Sequence, residues 1–555
     1  MITFNSEIMK KNIFFLLFIT LFTISCQEKE EENRKSKLVI GIVIDQMRYD
    51  YLTRFADRYS EKGFKRLLKG GFSLENAHYN YIPTYTAPGH ASIFTGTTPT
   101  NHGIISNNWY DKFAKETIYC VDDENFETVG NSGNVGKKSP KRLYTTTVTD
   151  QLHLAQNMNG KTIGVAIKDR SSILPAGHTA NAAYWFDGGD FGGFITSSFY
   201  MNELPKWVED FNSNGKAAQY VNEPWETLYD IETYKNSIAD DNIYENLFAG
   251  EEKAIFPKDI AKLKETNRNF EIIKGIPAGN TITADFAKAT IINESLGKSD
   301  YTDFLTVSFS STDYVGHQFG PNSVEIEDTY LRLDRDLGEF FEFLDKKVGE
   351  GEYTLFLTAD HAAVEVPAYL QSLKIPAHYL DTKKFRDFVL SVTKKYFNSE
   401  KLIENVSNYQ IFLNKSAIET AGFEVKKVAD KLAEEVVNFD GIYKAITAEA
   451  LQKTEQYLNS LPKPLEVVVE ARNLSEINAI LPFNWVSRIL LDNFTPKELV
   501  TAIQLINKKL PTEASGNITE SNLIEMAETG VDYISMGALT YAAKPIDLSL
   551  KADLS

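Results

Sequence analysis

The chain has 555 residues, of which 43% are hydrophobic and 24% are charged, with 76 acidic against 58 basic residues. This composition excludes a disordered chain, and the length predicts more than one folded domain, since a domain usually has about 100–200 residues. The net charge of −18 argues against a nucleic-acid partner, because such a surface repels a phosphate backbone.

The first 26 residues have the pattern of an export signal. Two lysines precede an apolar run, Ile13 to Ile24, that is short for a membrane span and ends just before Cys26. Polar residues follow the cysteine at once, which is typical of a bacterial lipoprotein; a simple signal peptide or a membrane helix is the alternative. We predict a lipoprotein signal peptide over 1–26 and a solvated tether over 27–37. The protein would be exported and held by lipidated Cys26 in the periplasm or at the cell surface of a Gram-negative-type bacterium. Cys120, the only other cysteine, is interpreted as a buried core thiol.

Apolar, β-branched runs separated by helical patterns predict a doubly wound α/β sheet over residues 38–455. The main runs are Leu38–Ile44, Phe304–Phe309 and Tyr353–Thr358. Each run is followed within a few residues by an aspartate: Asp45, Asp313 and Asp360. Because parallel strands end at one edge of a sheet, the three carboxylates are expected to meet there.

Two histidines accompany these carboxylates. His317 stands four residues after Asp313, so a helix would bring both side chains to one face, and His361 follows Asp360 directly. Each pair alone is common on surfaces and in cores. Together, at three strand ends, aspartate and histidine predict a site for zinc or a similar divalent ion.

A segment rich in hydroxyl groups, Pro83–His90, lies between these elements. Thr86 stands two residues before Pro88, which suits the first turn of a helix, so its hydroxyl would face free N–H groups and the positive end of the helix dipole. This position favours an anion site with a metal-activated Thr86 nucleophile. A simple N-cap is the alternative function of Thr86, and Thr84 is an alternative nucleophile.

These residues resemble the periplasmic, phosphate-irrepressible alkaline phosphatases, which are two-zinc phosphomonoesterases of the alkaline phosphatase superfamily. The resemblance runs from about residue 36 to about 450, in order and with matching intervals. It implies a first zinc, which activates Thr86, with the ligands Asp45, Asp360 and His361. It implies a second zinc, at the leaving oxygen, with the ligands Asp313 and His317. It implies that a small phosphate monoester is contacted by Asn107, Lys168 and Arg170, and that phosphothreonine is the intermediate.

The same resemblance leaves alternatives and one gap. A nucleotide pyrophosphatase or phosphodiesterase shares the zinc core, whereas a sulfatase is disfavoured because no cysteine occupies the nucleophile motif. In the family, a histidine near the C terminus completes the second zinc site. This chain has no histidine after His378. The second site is therefore predicted to be incomplete and the phosphatase to be impaired.

The sequence changes character after about residue 460. Short strand and helix patterns alternate with the spacing that is typical of a (β/α) barrel. They include a strand over Leu465–Glu470 and a turn over Glu513–Asn517. Residues 460–555 resemble the C-terminal end of quinolinate phosphoribosyltransferase, an enzyme of NAD biosynthesis, and so predict a partial barrel. By analogy, ribose hydroxyls or magnesium would meet Glu470 and Asp492. Phosphate would meet backbone N–H groups of Ser515, Gly516, Ser535 and Gly537.

Only the last third of that transferase is represented and its quinolinate-binding half is missing, so we expect no transferase activity. Three hypotheses follow from the two resemblances. The chain is an impaired zinc-dependent phosphomonoesterase, a chimera of two gene fragments that its tail would mark as a transferase, or a catalytically silent lipoprotein that binds phosphate esters.

Overall fold

The computed structural model describes residues 35–75, 77–453, 468–482, 486–519 and 521–535. The predicted signal peptide, Cys26 and Gly537 lie outside the described residues. The chain divides into two compact units, Met1–Tyr443 and Lys444–Ser555. In the part of the chain that the structure describes, no helix has the length and apolar character needed to cross a membrane.

The first unit is built on a mixed β-sheet. Its strands are β1 (Leu38–Ile44), β2 (Asn108–Asp111), β3 (Glu116–Tyr119), β4 (Thr128–Val129), β5 (Thr162–Ala166), β6 (Ala182–Asp187), β7 (Gly193–Ser197), β8 (Asp303–Phe309), β9 (Tyr353–Thr358), β10 (Ile403–Ser407) and β11 (Gln410–Leu413). Seven of them form one sheet in the order β4-β7-β6-β5-β8-β1-β9, in which β6, β5, β8, β1 and β9 are parallel. β7 runs antiparallel to β6 and β4, and β2–β3 and β10–β11 are antiparallel hairpins.

Helices connect these strands. They span Tyr51–Arg54, Phe64–Gly70, Thr86–Thr95, Pro99–His102, Val148–Ala155, Asp169–Ala176, Lys206–Asn212, Lys216–Tyr220, Ile260–Leu263, Ala278–Asn293, Ser311–Phe319, Val324–Leu344, Pro367–Ser372, Thr382–Phe397, Lys415–Thr420 and Val425–Val436. Alternate residues of β1 pack into different clusters: Ile40 and Ile42 join the largest core with Phe340, whereas Val43 packs with Phe94. Both faces of the sheet are therefore covered, and the predicted doubly wound α/β fold is confirmed.

The second unit contains a parallel sheet in chain order. Its strands are β12 (Val468–Ala471), β13 (Arg488–Asp492), β14 (Thr512–Ser515) and β15 (Tyr533–Ile534), and its helices span Leu474–Ile480, Pro496–Ile506 and Leu523–Glu528. Ala471, Leu491 and Ala514 are register partners and pack into one core with the helices. Sequential parallel strands with helices on one face form an arc of a (β/α) barrel, so the predicted partial barrel is confirmed.

One local prediction in this unit is partly wrong. The turn expected over Glu513–Asn517 begins only at Gly516, because β14 extends to Ser515. Glu513 pairs with Leu490 of β13 on one side and with Tyr533 of β15 on the other. Pairing on both sides outweighs the local turn preference of the sequence.

The helix Thr86–Thr95 approaches the segment after β9 very closely at Gly89. A Cβ atom on Gly89 would lie 2.4 Å from the carbonyl oxygen of Asp360. No side chain fits at that distance, so a glycine is required for the start of this helix to lie beside Asp360.

We expect Gly89→Ala to destabilise the first unit by about 1–3 kcal/mol, because the backbone at Asp360 has to move to make room for the methyl group. Gly70→Ala is the matched control, since a Cβ at Gly70 meets no atom within 4 Å. Thermal and urea unfolding of both variants measure the effect. Equal stability of the two variants would contradict the close approach.

Candidate active site

Charged residues of the candidate site follow four neighbouring strands, β5, β8, β1 and β9. Asp45 comes directly after β1, and Asp360 comes two residues after β9. Asp313 lies in the first turn of the helix Ser311–Phe319, which follows β8. Lys168 joins the three carboxylates from the end of β5, and all four side chains are buried. The strand ends thus meet at one edge of the sheet, as the parallel arrangement requires.

Asp45, Asp360 and His361 form a compact group of metal-ligand type. Their ligand atoms all lie within 4.8 Å of one another. His361 Nε2 is 3.4 Å from Asp45 Oδ1 and 3.7 Å from Asp360 Oδ2. His361 Nδ1 is 2.9 Å from the carbonyl oxygen of Ala362, which can only accept a hydrogen bond. Nδ1 therefore carries the hydrogen, and in the neutral ring the lone pair is on Nε2, on the side of the carboxylates.

Two buried oxygens of this group, Asp45 Oδ1 and Asp360 Oδ2, have no hydrogen-bond donor. His90 Nδ1 lies 3.2 Å from Asp360 Oδ2, but it donates its hydrogen to the carbonyl oxygen of Thr86 at 2.9 Å. Buried carboxylate oxygens without a donor are costly unless a cation compensates them. Two carboxylates and an imidazole nitrogen are a donor set that fits zinc or a similar divalent ion.

The electrostatics of the site favour a cation. Burial, together with the charges of Asp313 and Asp360, raises the pKa of Asp45 well above its ordinary value. Burial would also raise the pKa of Asp313, but the Lys168 ammonium and His317 lower it well below its ordinary value. Both carboxylates contact Lys168, but Asp45 is fully buried and faces two other carboxylates, whereas Asp313 has His317 as an additional positive partner.

Asp313 and His317 face each other across one helical turn, with His317 Nε2 3.2 Å from Asp313 Oδ1. Both Asp313 oxygens have donors, since Gln46 Nε2 donates to Oδ1 at 3.0 Å and Lys168 Nζ donates to Oδ2 at 2.5 Å. The His317 side chain is 72% exposed. Among the described residues, only the Asp45 group brings three ligand atoms this close together, and His378 is exposed. Within the described residues, no third ligand therefore joins Asp313 and His317.

Thr86 is buried at the first position of the helix Thr86–Thr95. Its Oγ1 lies 3.4 Å from His361 Nε2 and 3.4 Å from Lys168 Nζ. Thr84, the alternative hydroxyl, is exposed. The geometry therefore favours Thr86 as the group that meets a ligand at the metal-type cluster.

Asn107 contacts the start of the helix Thr86–Thr95, and Arg170 lies in the helix that follows β5. Both side chains carry hydrogen-bond donors. Asn107 Oδ1 accepts the backbone N–H of Ala87 at 2.8 Å, which leaves the Nδ2 group of the amide as the donor. Arg170 Nη1 donates to Tyr119 Oη at 2.9 Å, and its buried Nε has no partner. Amide and guanidinium donors of this kind suit the oxygens of an anion such as phosphate.

The sequence analysis missed Gln46, which links two of the carboxylates. Its backbone N–H donates to Asp360 Oδ1 at 3.1 Å, and its side chain donates to Asp313. The Gln46 backbone has φ 65°, a left-handed conformation that costs a non-glycine residue roughly 1–2 kcal/mol. Gly316 makes room for it, since a Cβ there would lie 1.9 Å from Gln46 Oε1. Its place next to Asp45, at a strand end, was the available signal.

The remaining histidines of this region have structural contacts. His90 Nε2 pairs with Ser308 Oγ at 2.9 Å, and burial lowers the pKa of His102 to about 4. His178 Nδ1 lies 3.0 Å from Asp150 Oδ2, and its Nε2 lies 2.8 Å from the carbonyl oxygen of Leu143. Both oxygens can accept a hydrogen bond, so the protonated form of His178, which donates from both nitrogens, is favoured.

Cys120 was expected to be a buried core thiol, and this prediction is confirmed. Burial raises its pKa far above the ordinary value, which keeps the thiol neutral.

The residues predicted to bind phosphoribosyl groups lie at the carboxyl ends of β12–β15. Asp492 and Ser515 are register partners on β13 and β14, and Glu470 accepts a hydrogen bond from Arg472. Gly516 has φ 79° and is followed by a second left-handed residue. The prediction is wrong for Ser535, whose backbone N–H donates to the carbonyl oxygen of Ala514 at 2.9 Å and is therefore not available to phosphate. Gly537 is outside the described residues.

The chain matches known proteins over most of its length. Residues 39–486 match the family described as type I phosphodiesterase / nucleotide pyrophosphatase. A protein of Myroides odoratus named calcium-transporting ATPase is 47% identical, over 83% of this chain and 82% of its own. Alkaline phosphatase PhoV of Synechococcus elongatus is 45% identical, over 81% of each chain. The crystal structure of alkaline phosphatase PafA has a TM-score of 0.72 at 45% identity, over 78% of this chain and 81% of that one.

A separate match covers a short part of the chain. A mitochondrial quinolinate phosphoribosyltransferase of Nicotiana tabacum is 37% identical in an alignment of 119 positions that covers 19% of this chain and 34% of that enzyme. The chain therefore spans only about a third of the transferase.

We expect the His178–Asp150 pair to make stability depend on pH. The Asp150 carboxylate raises the pKa of folded His178 above its ordinary value, so the pair stabilises fully below about pH 6.5 and this contribution is lost as the pH rises through the folded pKa. Because His178 is partly exposed, we expect less than about 1 kcal/mol.

Unfolding midpoints measured from pH 6 to 9 test this expectation. His178→Gln should flatten the decline relative to the unmodified protein, and His378→Gln, at an exposed histidine, is the matched control. An unchanged decline in His178→Gln would contradict the assignment.

Proposed function

This chain belongs to the type I phosphodiesterase / nucleotide pyrophosphatase family and is a metal-dependent phosphomonoester hydrolase of the alkaline phosphatase type, and we propose that it uses zinc and a phosphothreonine intermediate at Thr86. One observation carries the proposal: the buried Thr86 hydroxyl at a helix N-terminus lies 3.4 Å from both His361 and Lys168, beside three buried carboxylates. A nucleophile, a metal-ligand group and an anion site thus coincide.

Different residues of this chain attack the phosphorus, bind the phosphate oxygens and hold the metal. Thr86 Oγ1 attacks phosphorus as the bond to the leaving oxygen breaks, and water then cleaves the Oγ1–phosphorus bond and restores the threonine. Asn107 Nδ2 and the Arg170 guanidinium bind the nonbridging oxygens, and the N-terminal helix dipole attracts their negative charge. Asp45, Asp360 and His361 would hold a zinc ion, which would supply the Lewis acidity that lowers the pKa of the threonine hydroxyl.

The charge of the site favours a monoester over the diester that the family description also names. A phosphate monoester carries more negative charge than a diester. Lys168 Nζ brings a positive charge to within 3.4 Å of Thr86 Oγ1, and Arg170 adds a second positive charge two residues along the chain. Lys168 is buried within the site, and Arg170 follows it by two residues at the start of the next helix.

We also propose that the enzyme is exported and lipid-anchored in the periplasm or at the cell surface, on the pattern of residues 1–26 and Cys26. The domain boundaries proposed from the sequence are 38–455 for the phosphatase and 460–555 for the tail. The tail matches about a third of a phosphoribosyltransferase, so we propose no transferase activity for it. Reduced phosphatase activity is the expected consequence of the two-ligand set at Asp313 and His317.

Thr86→Ala should lower kcat/KM for p-nitrophenyl phosphate by about 10³-fold or more, because no nucleophile remains. Thr86→Ser should retain much of the activity. Thr84→Ala is the matched control, since this hydroxyl is exposed and stands two residues before Thr86. The proposal fails if Thr86→Ala is as active as the unmodified protein.

Removal of bound metal by a chelator should abolish hydrolysis, and zinc should restore it better than magnesium, because the candidate ligands include an imidazole nitrogen. Asp360→Asn should prevent this restoration. Activity that survives complete chelation, or that magnesium restores equally well, would contradict the zinc assignment.

A further inference from the structure

We propose that this chain binds a single divalent cation, at Asp45, Asp360 and His361, and that the Lys168 ammonium takes the position that a second cation would need. The inference rests on the proposed metal-dependent function and specifies the number of ions.

The Asp45 group has buried oxygen atoms whose negative charge a cation would compensate. Asp45 Oδ1 and Asp360 Oδ2 are buried without a hydrogen-bond donor, and the Nε2 lone pair of neutral His361 lies on the side of both carboxylates. Three separate atoms therefore point to one ion at this position. Their mutual distances, all within 4.8 Å, are compatible with three ligands of one divalent ion, since opposite ligands at about 2.0–2.2 Å stand at most about 4.4 Å apart and small adjustments close the difference.

Asp313, in contrast, has no oxygen atom without a hydrogen-bond donor. Both of its oxygens already accept hydrogen bonds, one from Gln46 Nε2 at 3.0 Å and one from Lys168 Nζ at 2.5 Å. His317 is its only imidazole partner, and that ring is largely exposed. Two protein ligands are fewer than the three or four that zinc sites normally have.

The ammonium of Lys168 lies between Asp45 and Asp313, and so occupies the space beside Asp313 where a second cation would bind. Nζ is 2.7 Å from Asp45 Oδ2 and 2.5 Å from Asp313 Oδ2, and the side chain is 2% exposed. The Tyr314 ring lies 5.2 Å from Nζ, a further stabilising contact for the ammonium. A second cation that displaced Nζ from these carboxylates would leave a buried ammonium without partners, which is costly.

The experiment is a zinc titration of the full chain, with bound zinc counted by native mass spectrometry and by elemental analysis after desalting. The expected result is one zinc per chain. Two tightly held zinc ions would overturn this inference and leave the metal-dependent function intact. No bound zinc would overturn both.

Variants sharpen the count. His317→Ala should still retain one zinc, whereas a two-cation site would lose an ion; His361→Ala should lose the single ion. Lys168→Met removes the competing ammonium and should admit a second zinc at excess zinc, held weakly because Asp313 and His317 supply only two ligands. Lys161→Met is the matched control, since Lys161 pairs with Glu294 at the surface. Unfolding curves of each variant confirm that it is folded. A fall in zinc content in His317→Ala, or a count in Lys168→Met that stays at one, would contradict the inference.

Discussion

The buried contact of Lys168 with Asp45 and Asp313 is the interaction on which the rest of the site depends. Parallel strands β5, β8, β1 and β9 end at the same edge, and this topology forces three carboxylates into one small volume away from water. Such a group is stable only if positive charge is supplied nearby. Lys168 supplies part of it, and the unpaired oxygens of Asp45 and Asp360 mark where the remainder has to come from.

The same edge positions the proposed nucleophile, Thr86, through backbone packing. Gly89 allows the helix Thr86–Thr95 to lie against the backbone of Asp360, and this approach brings the Thr86 hydroxyl to His361. Asn107 fixes the start of the helix through the N–H of Ala87. The proposed metal ligands and the proposed nucleophile are thus coupled, because a shift of the segment after β9 would move the carboxylate, the imidazole and the helix N-terminus together. A site that needs atoms placed within about 0.5 Å benefits from that coupling.

Much of this arrangement was predictable from the sequence, because it follows from strands and periodicity. β1 and β9 have the predicted boundaries, and the four-residue spacing of Asp313 and His317 does place both on one helical face. What escaped prediction depends on contacts between distant segments. The role of Gln46 requires a left-handed backbone and space at Gly316, 270 residues later, and the β14 boundary depends on pairing with two neighbours. Neither has a local signal that a single sequence reveals.

The sheet of the second unit is organised differently from that of the first unit. Four parallel strands in chain order bury one face under helices, while the other face carries Glu470, Arg488 and Glu513, partly paired with one another. In a closed barrel such a face is the interior, and closure removes unpaired strand edges. Here the described strands form only an arc, and the matching transferase is represented by about a third of its length. The phosphatase match, in contrast, spans about four fifths of its relatives. The chain therefore joins most of one fold to a minor part of another, and its last histidine, His378, precedes the tail.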